Sequence, residues 1–226
     1  MVRYATRVTR SHVSPGRATA YCFGAGHPIA TAASTRSHHT RSFCYTRPVT
    51  VYTVGHSTRT LEEFLALLGA HGIGGVADVR RFPASRRHPH FGREALARAL
   101  VAAHLHYDWL PELGGRRAAR PDSPHVAWRT AGFRGYADHM ESAEFHTGLE
   151  RLLALAAARP TTILCAEAVP WRCHRQLIAD ALLARGVTVL HVTGPSAPEP
   201  HRLSPFARRE GERLIYDGGQ PPLAGT

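Results

Sequence analysis

From Val49 onward the chain alternates short apolar runs with helical patterns, and this alternation constrains the fold more than any other feature of the sequence. Residues 49–54 alternate β-branched and aromatic side chains, which predicts a strand. Thr60 and Glu63 form a capping-box pattern, which predicts that a helix begins there. Because strands that alternate with helices are typical of βαβ units, we expect a parallel sheet.

The same order continues along the rest of the chain. Further strands are predicted at residues 75–79, 105–110, 161–166 and 187–192, and helices at residues 93–104, 133–140, 143–158 and 171–185. The last segment is expected to hold a short helix near residues 204–210 and a strand at residues 213–216. These elements predict a three-layer, Rossmann-like α/β fold, with a mostly parallel sheet of about five strands and helices on both faces.

The composition of the chain changes at residue 48. Residues 1–48 carry seven Arg, no Asp or Glu, and no sustained hydrophobic period. We expect this segment to be a disordered extension or an incorrectly assigned start, with an Arg-rich targeting peptide as the less favoured alternative. Residues 49–226 are predicted to form a single α/β domain.

The net charge of +11 is concentrated in that first segment. From residue 49 onward, 21 Arg face 17 acidic residues, which leaves +4, so charge alone does not mark the domain as a nucleic-acid binder. No apolar run approaches the roughly 18 residues of a membrane span. Without a secretory signal before the cysteines, we expect a cytoplasmic protein with reduced thiols.

Polar clusters follow three of the predicted strands. Gly55-His56-Ser57 follows the first strand, Asp78-Val79-Arg80 the second, and Cys165-Ala166-Glu167 the fourth. Open α/β sheets bind ligands at the carboxyl ends of their strands, so a parallel sheet would bring these clusters to one site. We expect His56 and Ser57 to reach a ligand from the first cluster, with a helix cap by Ser57 as the alternative.

The loop after the second predicted strand is rich in arginine. We predict that Arg80 and Arg86, with Asp78 and Ser85 beside them, bind a phosphate or carboxylate ligand, because guanidinium groups match the geometry of these anions. Two alternatives remain open for this loop. Asp78 and Arg80 would form a purely structural ion pair, or the loop would be a solvated basic segment.

The segment from Cys165 to Arg175 gathers thiol, carboxylate, imidazole and guanidinium groups. Cys165 lies inside an apolar strand, which favours a buried and inert thiol. Glu167 needs a partner or a function, because it directly follows a buried strand. Cys173 is predicted in the first turn of the next helix, where the dipole and its neighbours His174 and Arg175 would lower the pKa of its thiol.

These features yield a set of candidate site residues and one structural alternative. The catalytic candidates are Glu167, Cys173, His56 and His174, and the candidates for substrate binding are Ser57, Asp78, Arg80, Ser85, Arg86 and Arg175. In the structural alternative, Arg175 holds Glu167 in a cluster at the start of a helix.

No metal site is predicted, and the sequence identifies no cofactor. Seven residues separate Cys165 from Cys173, which is too wide for a zinc knuckle, and the adjacent Cys173 and His174 rarely bind one ion together. A phosphatase or rhodanese loop is disfavoured as well, because Arg175 follows Cys165 by ten residues.

Several short motifs recur in one order over residues 51–216, and together they resemble the family known as domain of unknown function 488. The motifs are Thr53-Val54-Gly55-His56-Ser57, Asp78-Val79-Arg80, Leu113-Gly114-Gly115, Leu164-Cys165-Ala166-Glu167 and Cys173-His174-Arg175. The resemblance implies a cytoplasmic α/β domain, mostly bacterial or archaeal, without an established activity.

Two functions and one structural interpretation fit these residues. An enzyme would hold a phosphorylated or nucleotide-like molecule with Arg80, Arg86 and Arg175 and would use Glu167 or Cys173 for acid–base or nucleophilic chemistry. A non-catalytic module would bind a nucleotide or a nucleic acid with the same arginines. In the structural interpretation, the polar groups form a buried network that ties the helix starts to the sheet.

Overall fold

The structure of the protein is a computed structural model that describes residues 49–218. Its strands are β1 (Thr50–Gly55), β2 (Gly75–Asp78), β3 (His106–Trp109), β4 (Thr161–Cys165), β5 (Thr188–Val192), β6 (Glu199–Pro200), β7 (Ala207–Glu210) and β8 (Arg213–Tyr216). Its helices are α1 (Leu61–Ala70), α2 (Arg93–Ala102), α3 (Ala131–His139), α4 (Ala143–Ala158) and α5 (Arg175–Ala184). The predicted extension at residues 1–48 lies outside the described residues, so the division at residue 48 stays a prediction.

The main sheet is mostly parallel, as predicted. Its strand order is β3-β2-β4-β1-β5-β6, and only the short edge strand β6 runs antiparallel to its neighbour. Strands β7 and β8 form a separate antiparallel pair. No helix within residues 49–218 is both long and apolar enough to cross a membrane.

Two apolar cores, one on each face of the sheet, confirm the three-layer arrangement. Phe64 of α1 and Leu96 of α2 pack on one face, and Phe145 of α4 and Leu177 of α5 pack on the other. The buried strand residues alternate between these cores, since side chains along a strand point to opposite faces in turn. In β4, for example, Ile163 belongs to the core under α4 and α5, whereas Leu164 belongs to the core under α1 and α2.

Two details of the predicted elements are wrong. The short helix expected near residues 204–210 is strand β7, because Gly211, at φ +64°, turns the chain so that β7 pairs with β8. The helix expected from residue 171 begins only at Arg175, after a single 3-10 turn at Pro170–Arg172. Cys173 has an extended backbone, with φ −145° and ψ 170°, and therefore lies before the helix.

A buried carboxylate joins α5 to the C-terminal part of the described chain. Asp180 is fully buried and accepts hydrogen bonds from His201 Nε2 (2.8 Å), Ser204 Oγ (2.7 Å) and Tyr216 Oη (3.0 Å). His201 in turn lies 2.9 Å from His191 of β5 through their ring nitrogens. Because a buried carboxylate without donors is costly, these bonds tie β8 and the segment before β7 to α5.

The sheet has a topological switch point between β1 and β4. These two strands are neighbours, but the helices that follow them, α1 and α5, pack on opposite faces of the sheet. Such a switch opens a crevice at the carboxyl ends of the strands. The three predicted polar clusters follow β1, β2 and β4, which are adjacent in the order β2-β4-β1, so they do meet at one edge.

Gly55 lets the end of β1 approach the loop after β4 very closely. A Cβ atom at this position would lie 1.7 Å from the Glu167 carbonyl oxygen and 2.8 Å from Arg175 Nη2. The next two amides continue the contact, since His56 N donates to Cys165 O (3.0 Å) and Ser57 N donates to Ala166 O (2.9 Å). No side chain fits at residue 55 without a shift of the backbone.

We expect Gly55→Ala to lower the free energy of unfolding by about 1–3 kcal/mol, because the methyl group collides with backbone that cannot give way cheaply. Gly69→Ala is the matched control, since a Cβ there meets nothing within 4 Å inside helix α1, and it should be neutral or stabilising by up to about 1 kcal/mol. Urea unfolding of both variants measures the difference. Equal effects would contradict the proposed close contact.

Candidate functional site

Cys165, the last residue of β4, lies at the centre of the site. Its side chain is 5% exposed. Sulfur or nitrogen atoms of Cys165, Cys173 and His174 all lie within 4.8 Å of one another. A negative charge on Cys165 would raise the pKa values of His56 and Arg80, because both residues lie close to this thiol.

His174 is held in one orientation by the backbone of the neighbouring strand. Its Nε2 lies 2.9 Å from the Val79 carbonyl oxygen, and because a carbonyl only accepts, Nε2 carries the proton. The other ring nitrogen, Nδ1, lies 3.9 Å from Cys165 Sγ. Gly115 makes room for the ring, since a Cβ there would lie 2.8 Å from Nδ1. A neutral His174 thus presents a lone pair to the thiol of Cys165.

Arg175 is a buried guanidinium that binds a carbonyl and a sulfur. Its side chain is 1% exposed. Nη2 donates to the Glu167 carbonyl oxygen (2.5 Å), and Nε donates to Cys173 Sγ (3.1 Å). No carboxylate among residues 49–218 forms an ion pair with it. Its positive charge therefore faces the two thiols, where it favours a negative sulfur.

The two thiols lie close together, and their pKa values are shifted in opposite directions. The neighbouring Cys173 lowers the pKa of Cys165 well below its usual value, and His174 and Arg175 lower it further. The neighbouring Cys165, together with burial, raises the pKa of Cys173. Of the two thiols, Cys165 is the one that loses its proton more readily.

Asp78 and Arg80 form the ion pair that the sequence offered as a structural alternative. Asp78 is fully buried and accepts from Arg80 Nε (2.8 Å), Arg80 Nη2 (2.6 Å) and Tyr107 Oη (2.8 Å). Arg80 also donates to the Phe91 carbonyl oxygen (2.8 Å). Both residues lie at the site, but most of their hydrogen-bonding groups are occupied by each other, by Tyr107 and by the Phe91 carbonyl.

His56 is a buried neutral imidazole beside Arg80. Its ring stacks on Phe91 with the ring centres 4.2 Å apart. Nδ1 lies 3.0 Å from the Ser57 carbonyl oxygen and so carries the proton, which leaves Nε2 as an acceptor 3.5 Å from Arg80 Nη1. Burial lowers the pKa of His56 to about 4, and the charge of Arg80 adds to that effect.

The remaining predicted residues lie around the edge of the site. Ser57 is partly buried with φ 51°, and Ser85 Oγ accepts from the His88 amide (2.9 Å). Arg86 is exposed and makes no hydrogen bond or ion pair within residues 49–218. Glu167 is exposed as well, and it is its backbone carbonyl, not its carboxylate, that binds Arg175. The catalytic and binding roles assigned to these residues stay predictions.

The sequence did not single out Cys165 as the central thiol. Its apolar flanks indicated an inert core residue, and the groups that change its character are the Val79 carbonyl and the space at Gly115. A backbone carbonyl leaves no signal in a sequence. The adjacent glycines Gly114 and Gly115 are the sequence feature that could have indicated this site. The structure shows the reason, because both are buried and neither has room for a side chain.

Cys165, Cys173 and His174 are also the group in the described part of the chain with donor atoms close enough to hold a metal ion. The sulfur of Cys173 already accepts a hydrogen bond from Arg175, and His174 Nε2 is bound to the Val79 carbonyl oxygen. Two of the three candidate ligands therefore have partners within the protein. The prediction that the site holds no metal stays a prediction.

Comparison with known proteins identifies one family. The model of the family described as Domain of unknown function DUF488 matches residues 60–182, which is more than half of the 226-residue chain. The match includes β2, β3, β4, all of helices α1 to α4, and Cys165, Cys173 and His174. Neither the curated proteins nor the solved structures that were compared contain a match.

The low pKa of His56 predicts a loss of stability in mild acid. The pKa falls from 6.5 to about 4 on folding, so the unfolded chain binds more protons between these values. The free energy of unfolding should therefore decrease as the pH is lowered through this window. His56→Asn keeps an N–H near the Ser57 carbonyl but cannot titrate, so its decrease should be shallower.

Urea unfolding at a series of pH values between 7 and 4 measures both slopes. His191, whose pKa burial also lowers to about 4, should leave a residual slope in the variant. Nuclear magnetic resonance of the His56 ring provides the direct control. Identical slopes for the parent and the variant would contradict the buried neutral imidazole.

Proposed function

The chain belongs to the DUF488 family, and from that premise and the geometry at the strand ends we propose that it is an enzyme whose nucleophile is the thiolate of Cys165. The substrate we propose is a small molecule with an anionic group, such as a phosphorylated or nucleotide-like compound. Because the mechanism needs reduced thiols, it fits a cytoplasmic protein.

The arrangement of His174 is the observation that carries this proposal. Its Nε2–H is bound to the Val79 carbonyl, so the lone pair of Nδ1 is directed toward Cys165 Sγ, 3.9 Å away. A nucleophile, a base and a group that orients the base are the parts that covalent catalysis requires. Apo sites often show somewhat long contacts of this kind, which shorten when substrate binds.

The proposed reaction has two steps. His174 Nδ1 takes the proton of Cys165, and the sulfur forms a bond to the electrophilic centre of the substrate while the bond to the leaving group breaks. The His174 imidazolium returns the proton to the leaving group. In the second step, His174 deprotonates a water molecule, which attacks the covalent intermediate and releases the thiol. Glu167 lies exposed next to this site and is available for proton exchange with solvent.

The positive charges around Cys165 support an anionic substrate. Arg80 and Arg175 are buried beside the thiol and favour its ionised form. Farther out, the loops after β2 and β4 carry the exposed side chains of Arg86, Arg87 and Arg172. Exposed guanidinium groups at the carboxyl edge of a parallel sheet suit a phosphate, which they bind through paired hydrogen bonds.

Cys165 suits the role of nucleophile better than Cys173, which the sequence had favoured. Cys173 keeps its proton more readily than Cys165, since the pKa of Cys173 is raised and that of Cys165 is lowered. Only a deprotonated sulfur attacks efficiently. In this proposal Cys173 and Arg175 are positioning residues that stabilise the thiolate.

Alkylation tests the proposed nucleophile. Iodoacetamide should modify Cys165 well below pH 8, because a typical thiol ionises only near about 8.5. His174→Gln should slow this modification by about tenfold or more, which corresponds to a rise of at least one unit in the pKa of Cys165. Peptide mass spectrometry assigns the reaction to each cysteine, including Cys22 and Cys44.

Two variants of Cys173 are the matched controls. Cys173→Ser keeps an O–H donor toward Cys165 and should preserve its reactivity, whereas Cys173→Ala removes the donor and should lower it. Faster modification of Cys173 than of Cys165, or a pH profile of Cys165 that His174→Gln leaves unchanged, would overturn the proposal.

A non-catalytic nucleic-acid module is the second candidate function. Two large aromatic side chains are exposed on the loops after the adjacent strands β2 and β4, namely Phe82 (65%) and Trp171 (60%). Arg81 lies over the Phe82 ring at 5.6 Å, and Arg172 follows Trp171. Aromatic rings with neighbouring guanidinium groups are typical of surfaces that stack single-stranded bases.

We expect Trp171→Ala to weaken binding of a fluorescent single-stranded oligonucleotide by about 5–100-fold, since one stacked base contributes about 1–3 kcal/mol. Val101→Ala is the control, because Val101 is equally exposed (67%) but lies on α2. Fluorescence anisotropy at several salt concentrations measures the affinity. An affinity that neither substitution changes, and that is lost when residues 1–48 are deleted, would contradict this function.

A further inference from the structure

The site contains two neighbouring free thiols, whereas covalent catalysis by Cys165 needs only one. Cys165 and Cys173 are both buried, at 5% and 7% exposure, and their sulfurs lie within 4.8 Å of each other. If residue 173 only stabilised a thiolate at Cys165, a serine or an asparagine could do so as well. A second sulfur next to the first therefore suggests a reaction in which both sulfurs take part.

Contacts around the pair give the two sulfurs different properties. Arg175 Nε donates to Cys173 Sγ (3.1 Å). His174 Nδ1, which can accept a proton, lies 3.9 Å from Cys165 Sγ. A thiol next to a base, with a second thiol beside it, is the arrangement in which the first sulfur attacks an oxidant and the second then attacks the first.

We propose that Cys165 and Cys173 reduce small hydroperoxides and are themselves oxidised to an intramolecular disulfide. The inference rests on the same Cys165 nucleophile as the proposed function, but it assigns a second substrate class and a role for Cys173 that covalent catalysis alone does not need.

The reaction balances in two steps. His174 Nδ1 takes the proton of Cys165, whose sulfur bonds to one oxygen of the hydroperoxide while the O–O bond breaks. His174 then returns the proton to the oxygen that leaves, which departs as an alcohol or water. Cys165 is then a sulfenic acid, oxidised by two electrons, and the peroxide is reduced. The Cys173 sulfur bonds to Cys165 Sγ, the S–OH bond breaks, and the hydroxyl leaves with the Cys173 proton as water.

The local structure allows this second step. The sulfurs lie within 4.8 Å and must approach to about 2.05 Å in a disulfide. Residues 166 and 167 are held against β1, but residues 168–172 are mostly exposed and contain only a single 3-10 turn, so this part of the loop can adjust. Because Cys165 is only 5% exposed, the site suits a small oxidant such as hydrogen peroxide. Formation of the disulfide would also stop the proposed covalent activity until a thiol reductant restores Cys165.

The test oxidises the reduced, chelator-treated full-length chain with one equivalent of hydrogen peroxide, followed by alkylation of the remaining thiols and peptide mass spectrometry. We expect a disulfide-linked pair of peptides containing Cys165 and Cys173, with consumption of the peroxide and reversal by dithiothreitol. Oxidation confined to Cys22 and Cys44 would overturn the proposal.

Two variants separate the roles of the sulfurs. In Cys173→Ser, dimedone should trap a sulfenic acid at Cys165, because no second thiol removes it. In Cys165→Ser, peroxide should disappear only at the slow rate of the remaining thiols, and no linked peptides should form. Urea unfolding of the reduced variants verifies that they fold, and Cys173→Ala replaces Cys173→Ser if the latter does not.

Two outcomes distinguish this inference from the proposed function. If iodoacetamide modifies Cys165 below pH 8 but peroxide yields no linked peptides, the assignment of Cys165 as the nucleophile is supported and the proposed peroxide reaction is wrong. If Cys165 is inert toward iodoacetamide as well, both are wrong. Zinc that copurifies with the chain and is lost in Cys165→Ser would assign the cluster to a metal and would also overturn the inference.

Discussion

The close contact between the end of β1 and the loop after β4 determines how the site is built. Gly55 leaves room for the Glu167 carbonyl, and Arg175 is buried against that same carbonyl. A guanidinium removed from water costs free energy, and no carboxylate within residues 49–218 offsets its charge. The Glu167 carbonyl and the Cys173 sulfur are its hydrogen-bond partners instead. The position of this positive charge beside the two thiols is thus a consequence of how the backbone packs.

Hydrophobic periodicity was sufficient to predict the layers of the fold. The strands and helices from β1 to β4 lie where alternation and helical spacing indicated, and the Thr60–Glu63 capping box is formed as expected. The C-terminal segment was harder, because the helix predicted near residues 204–210 is a strand. Arg208 and Arg209 have a helical preference of their own, but their pairing with Ile215 and Leu214 decides the structure.

The meeting of the polar clusters at one edge could be predicted, because it follows from the parallel order of the strands. The orientation of each group could not. Glu167 contributes its carbonyl and not its carboxylate, Asp78 is occupied by Arg80 and Tyr107, and His174 is oriented by the Val79 carbonyl. These outcomes depend on backbone atoms and on distances between strands, which residue types do not express. For the same reason Cys165 seemed inert from its apolar neighbours alone.

The Asp180 network bears on where the minimal folding unit ends. The family match stops at residue 182, yet the partners of Asp180 are His201, Ser204 and Tyr216, which lie 19 to 34 residues beyond that boundary. A chain cut at the boundary would leave a buried carboxylate without its donors, on the same helix that begins with Arg175. The part of the chain that must fold together therefore extends beyond the residues that the family model matches, and it includes the C-terminal hairpin.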